Sequence, residues 1–262
     1  AYLLSLSFDN GGSPKKNRWE SLKWLTAAAE GGYPEAPLAL AEKYYSGEGV
    51  TKGVAEACKW FIVAGRQGSA QAQFRVGQCY FEGLGVEVAH TEAVRWYTLA
   101  SDQAHAEAQL ALGRCHALGE GTERNPREAV LMYRLAATQG NADAQFTLAQ
   151  CFEMGAGVQA NRAEAVKWTR AAAVQGHAEA QLNMGDRCIA GDGVPTNPKE
   201  AFEWYRKAAD QNNGNAQHKL GSCFFNGTGV PMDKSEAIRW YRLSAEKGAI
   251  GALINRSECL YG

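Results

Sequence analysis

The sequence predicts an all-α solenoid of helix–turn–helix repeats, and three observations predict it. A Gly-x-Gly pair recurs at Gly47/Gly49, Gly83/Gly85, Gly119/Gly121, Gly155/Gly157, Gly191/Gly193 and Gly227/Gly229, 36 residues apart each time. A bulky slot recurs with it at Trp24, Trp60, Trp96, Met132, Trp168, Trp204 and Trp240. Alanine holds a third slot at Ala36, Ala72, Ala108, Ala144, Ala180, Ala216 and Ala252. Self-similarity at a fixed period of this length is the signature of stacked supersecondary units. It divides the 262 residues into a partial repeat 1–32, full repeats 33–68, 69–104, 105–140, 141–176, 177–212 and 213–248, and a partial repeat 249–262.

Within a repeat the first element is a helix. In 69–104, Ala72, Val76, Cys79 and Tyr80 fall at i, i+4, i+7 and i+8, one helical stripe. The glycine pair follows. A glycine-rich turn ahead of a helix is a way to cradle phosphate, because bare N–H groups and the helix dipole face the anion. Six copies in register argue instead for a structural turn, since every unit of a solenoid needs its own connection.

The second element is also a helix, with Ala93, Trp96, Tyr97 and Ala100 at i, i+3, i+4 and i+7. Its start carries a capping-box pattern at Asn17/Glu20, Asn125/Glu128, Asn161/Glu164, Asn197/Glu200 and Asp233/Glu236. Pro126 and Pro198 sit just inside, where a missing N–H costs nothing. Repeats end in Gly32, Gly68, Gly140, Gly176, Asn212 and Gly248, residues that tolerate a left-handed cap; Ala104 is the exception. Small residues such as Ala72, Gly77, Ala108, Gly113, Ala180 and Gly185 let helices approach closely, and the Trp and Tyr rings are expected to dominate the buried area.

Composition narrows the function. Lys plus Arg number 27 against 28 Asp plus Glu, so the chain as a whole exerts no long-range pull on nucleic acid or an anionic membrane. No apolar run reaches the about eighteen residues of a membrane span, and the start of the sequence lacks a signal-peptide pattern. Cys79, Cys115, Cys151, Cys223 and Cys259 share one slot, with Cys58 and Cys188 elsewhere. Equivalent slots of adjacent repeats lie roughly 10 Å apart, beyond the reach of a disulfide. The expectation is buried free thiols and hence a reducing, cytoplasmic compartment. No Cys-x-x-Cys pair suggests zinc, and Cys115 and His116, adjacent on a helix, do not face each other as a catalytic couple would. His90, His105, His177 and His218 form no cluster in sequence. The reading is a non-catalytic protein with no metal and no cofactor.

The stretch from Ala72 to Val86, AQFRVGQCYFEGLGV, followed by Glu92 to Ala100, EAVRWYTLA, resembles the Sel1-like repeat, a relative of the tetratricopeptide repeat with a longer turn. Repeat 177–212, with Gly191-Asp192-Gly193-Val194-Pro195 and Ala201-Phe202-Glu203-Trp204-Tyr205, is the strongest single match. The resemblance implies a right-handed superhelix of antiparallel helix pairs, its first helices lining a concave face, and an adaptor role in quality control, cell-wall control, signalling or contact with host cells. His116 and Thr122 depart from the pattern, and the paired cysteines of cysteine-rich members are missing from the repeats.

Function is then expected on first-helix positions that vary while pointing away from the core: the third, seventh, tenth and fourteenth of each repeat, which share one face. The candidate partner-binding residues are Glu35, Glu42, Gln71, Arg75, Gln78, Glu107, Arg114, Leu118, Gln150, Met154, Asn183, Asp186 and Lys219. Arg75 and Arg114 offer planar forks to carboxylates or carbonyls, and Leu118 and Met154 offer apolar anchorage. The partner is expected to be a protein or peptide. An RNA-reading repeat array is the alternative, disfavoured because the stripe is net acidic; a structural spacer is the other. The Gln73, Gln109, Gln145, Gln181, Gln217 series is expected to serve hydrogen bonding between repeats. With a partial repeat at each end, the sequence reads as a segment of a longer repeat or multidomain protein.

Overall fold

The computed structural model describes residues 1–9 and 14–247. These form helices only: α1 Tyr2–Asp9, α2 Pro14–Glu30, α3 Ala36–Ser46, α4 Val54–Arg66, α5 Ala70–Glu82, α6 His90–Asp102, α7 Ala106–Leu118, α8 Pro126–Thr138, α9 Ala142–Met154, α10 Arg162–Val174, α11 Ala178–Ala190, α12 Pro198–Asp210, α13 Gly214–Asn226 and α14 Lys234–Glu246. They cluster into two compact bodies, Ala1–Ala136 and the residues from Ala137 on. In the first body helices α1 to α7 pack on their sequence neighbours, and in the second α9 to α14 do the same. This is the all-α solenoid of helix pairs that the period predicts. Gly248, Ala252, Cys259 and the partial repeat 249–262 lie outside the described residues.

Caps delimit the helices. Asn125, Asn161, Asn197 and Asp233 each accept the N–H of the Glu three residues on, at 3.0–3.2 Å. The glutamates serve the next turn: Glu164 accepts the Trp168 indole N–H at 3.0 Å and Glu200 that of Trp204 at 3.2 Å. In the first repeat the second helix instead starts at Pro14, which places Asn17 inside it. The first helices are capped too, by Ser69, His105, Asn141, His177 and Asn213, each accepting the N–H of the Ala of the repeating slot. The histidines at repeat starts are therefore helix caps.

Both glycines of the turn have positive φ; in the pairs from Gly83/Gly85 to Gly227/Gly229 the first caps the preceding helix. The second approaches the previous repeat's second helix: a Cβ on Gly121 would lie 2.2 Å from the His90 carbonyl oxygen, and one on Gly229 2.1 Å from that of Pro198. The turn thus covers the N-terminus of the helix behind it, so the glycine pair is a packing device. Ala104 adopts φ 61° and Asn212 φ 62°, so the terminal slot imposes the left-handed conformation even on alanine.

In the core the tyrosines outrank the tryptophans. Tyr97, Tyr133, Tyr205 and Tyr241 are all at most 4 % exposed. Each lies against the helical glycine of its pair, Gly77, Gly113, Gly185 or Gly221, where a Cβ would come within 2.4–2.7 Å of the ring. Trp60, Trp96, Trp168 and Trp240 are half-buried, and Trp204 is fully buried. The glutamines do link repeats. Gln73, Gln109, Gln145, Gln181 and Gln217, all buried, donate through Nε2 to the carbonyls of Gly65, Ser101, Ala137, Ala173 and Ala209. Such pairing removes the cost of burying an amide.

The described cysteines are buried free thiols. Burial pushes Cys115 and Cys223 up to about 11. Cys58 is not isolated as its position in sequence suggests: α4 and α5 pack it in one core cluster with Cys79, and the interaction of the two thiols lowers the pKa of Cys58 while it raises that of Cys79.

Candidate functional site

Within each body, side chains of successive first helices meet, and the residues of the predicted stripe are exposed or half-buried. In the first body Glu42 on α3 pairs with Arg75 on α5 at 3.4 Å, and the Arg75 guanidinium lies 5.3 Å from the Tyr45 ring centre and donates to Gln78 Oε1 at 3.2 Å. Arg75 is thus already engaged, and a partner carboxylate would have to compete with Glu42. Gln71 Oε1 meets His105 Nε2 at 2.9 Å, and Glu107 lies 3.4 Å from His105 Nδ1. Glu35 flanks the start of α3 and is exposed. Arg114 is exposed, and Leu118 is 67 % exposed.

The second body gathers its stripe residues around a cavity of about 290 Å³, lined by Gln150, Asn183 and Asp186 together with Phe146, Ala149, Glu153, Thr169, Arg187, Ala190 and Asp192. Lys219 on α13 reaches Asp186 on α11 at 2.9 Å, and the Tyr205 hydroxyl donates to the same carboxylate at 2.8 Å. Met154, 72 % exposed at the end of α9, is not among the lining residues.

Arg187 organises this site. Its side chain is 6 % exposed; Nε donates to Asn183 Oδ1 and Nη1 to Asp192 Oδ2, both at 2.8 Å, while Nη2 pairs with Glu153 on α9. A buried guanidinium is tolerable only with partners of this kind. Asp192 belongs to the glycine turn and also binds Arg162 at 3.0 Å. Arg187, Glu153, Asp192 and Thr169 were not among the sequence candidates. A signal existed: Arg187 fills the gap in the series Cys79, Cys115, Cys151, Cys223, and Thr169 the gap in Tyr97, Tyr133, Tyr205, Tyr241.

Among the described residues no three or more His, Cys, Asp or Glu are placed to hold a metal ion, and no helix is long and apolar enough to cross a membrane.

The Sel1 repeat family model matches seven consecutive segments, 1–33, 34–69, 70–105, 106–141, 142–177, 178–213 and 214–248. The chain belongs to the Sel1 repeat family. Its structure is similar to the crystal structure of a protective antigen present in uropathogenic Escherichia coli strains, described as displaying an SLR fold. That match has 33 % identity and a TM-score of 0.85, covering 99 % of this chain and 56 % of that one. It is also similar to a Sel1 repeat protein from Oxalobacter formigenes, with 29 % identity and a TM-score of 0.78, over 93 % of this chain and 96 % of that one. No curated protein matches the sequence. Sel1 repeat proteins generally mediate protein–protein interaction and are generally non-catalytic.

Proposed function

We propose that this chain is a non-catalytic adaptor that holds a partner polypeptide along its first helices, in a reducing, cytoplasmic compartment where its thiols stay free. The observation that carries this reading is the exposure of Leu118 and Met154, 67 % and 72 %, each at the fourteenth position of its repeat on a first helix whose outward face also carries Glu107 and Arg114 or Asp143 and Gln150. Large apolar side chains amid polar ones suit a protein interface, where apolar anchors dominate and polar groups set register. Arg114 adds a planar fork for carboxylates or carbonyls.

The test is affinity capture from a native lysate with the chain and with its Arg114→Ala/Leu118→Ser/Met154→Ser variant, identifying bound protein and RNA. Proteins held by the former and lost by the latter support the adaptor. RNA captured equally by both overturns it.

A further inference from the structure

The cavity of the second body exists because repeat 141–176 lacks the ring that the other full repeats bury at one slot. In four full repeats a buried tyrosine lies against a helical glycine, as Tyr205 does against Gly185 and Tyr241 against Gly221, and in repeat 33–68 the buried Phe61 takes the ring slot with Ala41 in the glycine slot. In repeat 141–176 those slots hold Thr169 and Ala149. No ring fills the space, and about 290 Å³ opens between α9, α10 and α11. That volume falls just below the roughly 300–1,000 Å³ of ligand pockets and suits one side chain better than a cofactor.

The lining states which side chain. Phe146, Ala149 and Ala190 supply apolar surface, and Gln150 and Asn183 supply amides. Three carboxylates, Glu153, Asp186 and Asp192, face one guanidinium, that of Arg187, which Glu153 and Asp192 already share. Two further cations, neither of them a lining residue, pair with these acids: Lys219 with Asp186 and Arg162 with Asp192, with side chains 46 % and 69 % exposed. Pairs this exposed contribute little, so an incoming cation displaces them at little cost. An incoming anion would meet three carboxylates, and an apolar side chain would strip their water without replacing it. A long cationic side chain satisfies both parts: its stem lies along Phe146 and the alanines, and its head reaches the acids.

We propose that this cavity is a socket for a lysine or arginine side chain of the partner polypeptide. The inference rests on the adaptor reading and names one chemical feature of its ligand.

The experiment is an NMR titration of the ¹⁵N-labelled chain with N-acetyl-arginine amide and N-acetyl-lysine amide, against the neutral N-acetyl-norleucine amide and the anionic N-acetyl-glutamate amide. The cationic compounds should give saturable shifts of the Gln150 and Asn183 side-chain amides, and the neutral and anionic ones should not. Asp186→Asn should weaken the binding about tenfold. The Ala149→Gly/Thr169→Tyr double variant, which restores the pair used elsewhere and refills the space, should abolish it while melting no lower than the parent; if that variant does not fold, the Asp186→Asn titration decides. Equal shifts with norleucine, unchanged affinity in Asp186→Asn, or no shifts with either cation would overturn the proposal. Because the readout uses defined compounds, the socket can fail while lysate capture succeeds, and the reverse.

Discussion

Ala104 holds a backbone conformation, φ 61°, that the same slot elsewhere gives to Gly68, Gly140 and Gly176. A left-handed alanine costs about 1–2 kcal/mol, partly offset by the entropy glycine loses on folding. Ala104→Gly should therefore stabilise the chain by about 1 kcal/mol, read as a raised urea midpoint. His105 tests a second residue-level claim. Its Nδ1 accepts the Ala108 N–H at 3.3 Å, which leaves the proton on Nε2 toward Gln71. Burial lowers its pKa below the ordinary value, with Arg75 adding to the effect and Glu107 opposing it. A depressed histidine contributes stability above about pH 6.5 that is lost as pH falls toward the folded pKa, because the unfolded chain takes up the proton first. Stability should drop between pH 7 and pH 5. His105→Asn, which keeps the cap in the form used by Asn141 and Asn213, should flatten that dependence in urea melts at the two pH values. His218, also lowered by burial, leaves a residual slope.

At the scale of elements, the turn glycines separate two costs. A Cβ on Gly176 meets nothing within 4 Å, whereas one on Gly121 falls on the His90 backbone; both have positive φ. Gly176→Ala should cost about 1 kcal/mol from conformation alone. Gly121→Ala should cost more than about 2 kcal/mol, because the turn must also lift from α6. Equal urea midpoints for the two variants would refute the packing role of the second glycine. These elements were legible in the sequence: the period located the turns, and the Asn and Asp caps marked most second-helix starts. The caps of the first helices were less so, because Ser69, His105 and Asn141 share a role without sharing a residue type.

At the scale of the molecule, α1 to α7 in one body and α9 to α14 in the other pack on their sequence neighbours, so stability is a sum of local interfaces. Leu220, fully buried on α13, should cost about 2–5 kcal/mol when cut to Ala. Hydrogen exchange should then rise in α12 to α14 while α3 to α5 keep their protection. A uniform rise across both bodies would show cooperativity that nearest-neighbour packing does not supply. The candidate site was half legible at this scale. Asn183 and Asp186 were found because outward positions of a helix recur on one face, but the cavity they line was not, since a hole is the absence of a side chain and no periodic rule marks it.

The sequence by itself determined the fold class, the repeat length, the turn positions and the linking glutamines, because each follows from local conformation or from a period repeated along the chain. Only the tertiary structure decided that Arg75 is engaged by Glu42, that Cys58 meets Cys79, and that Arg187, Glu153 and Asp192 assemble beside the space left by Thr169. All of these except Arg187–Asp192 join residues of different repeats, and their geometry depends on how closely neighbouring helices approach.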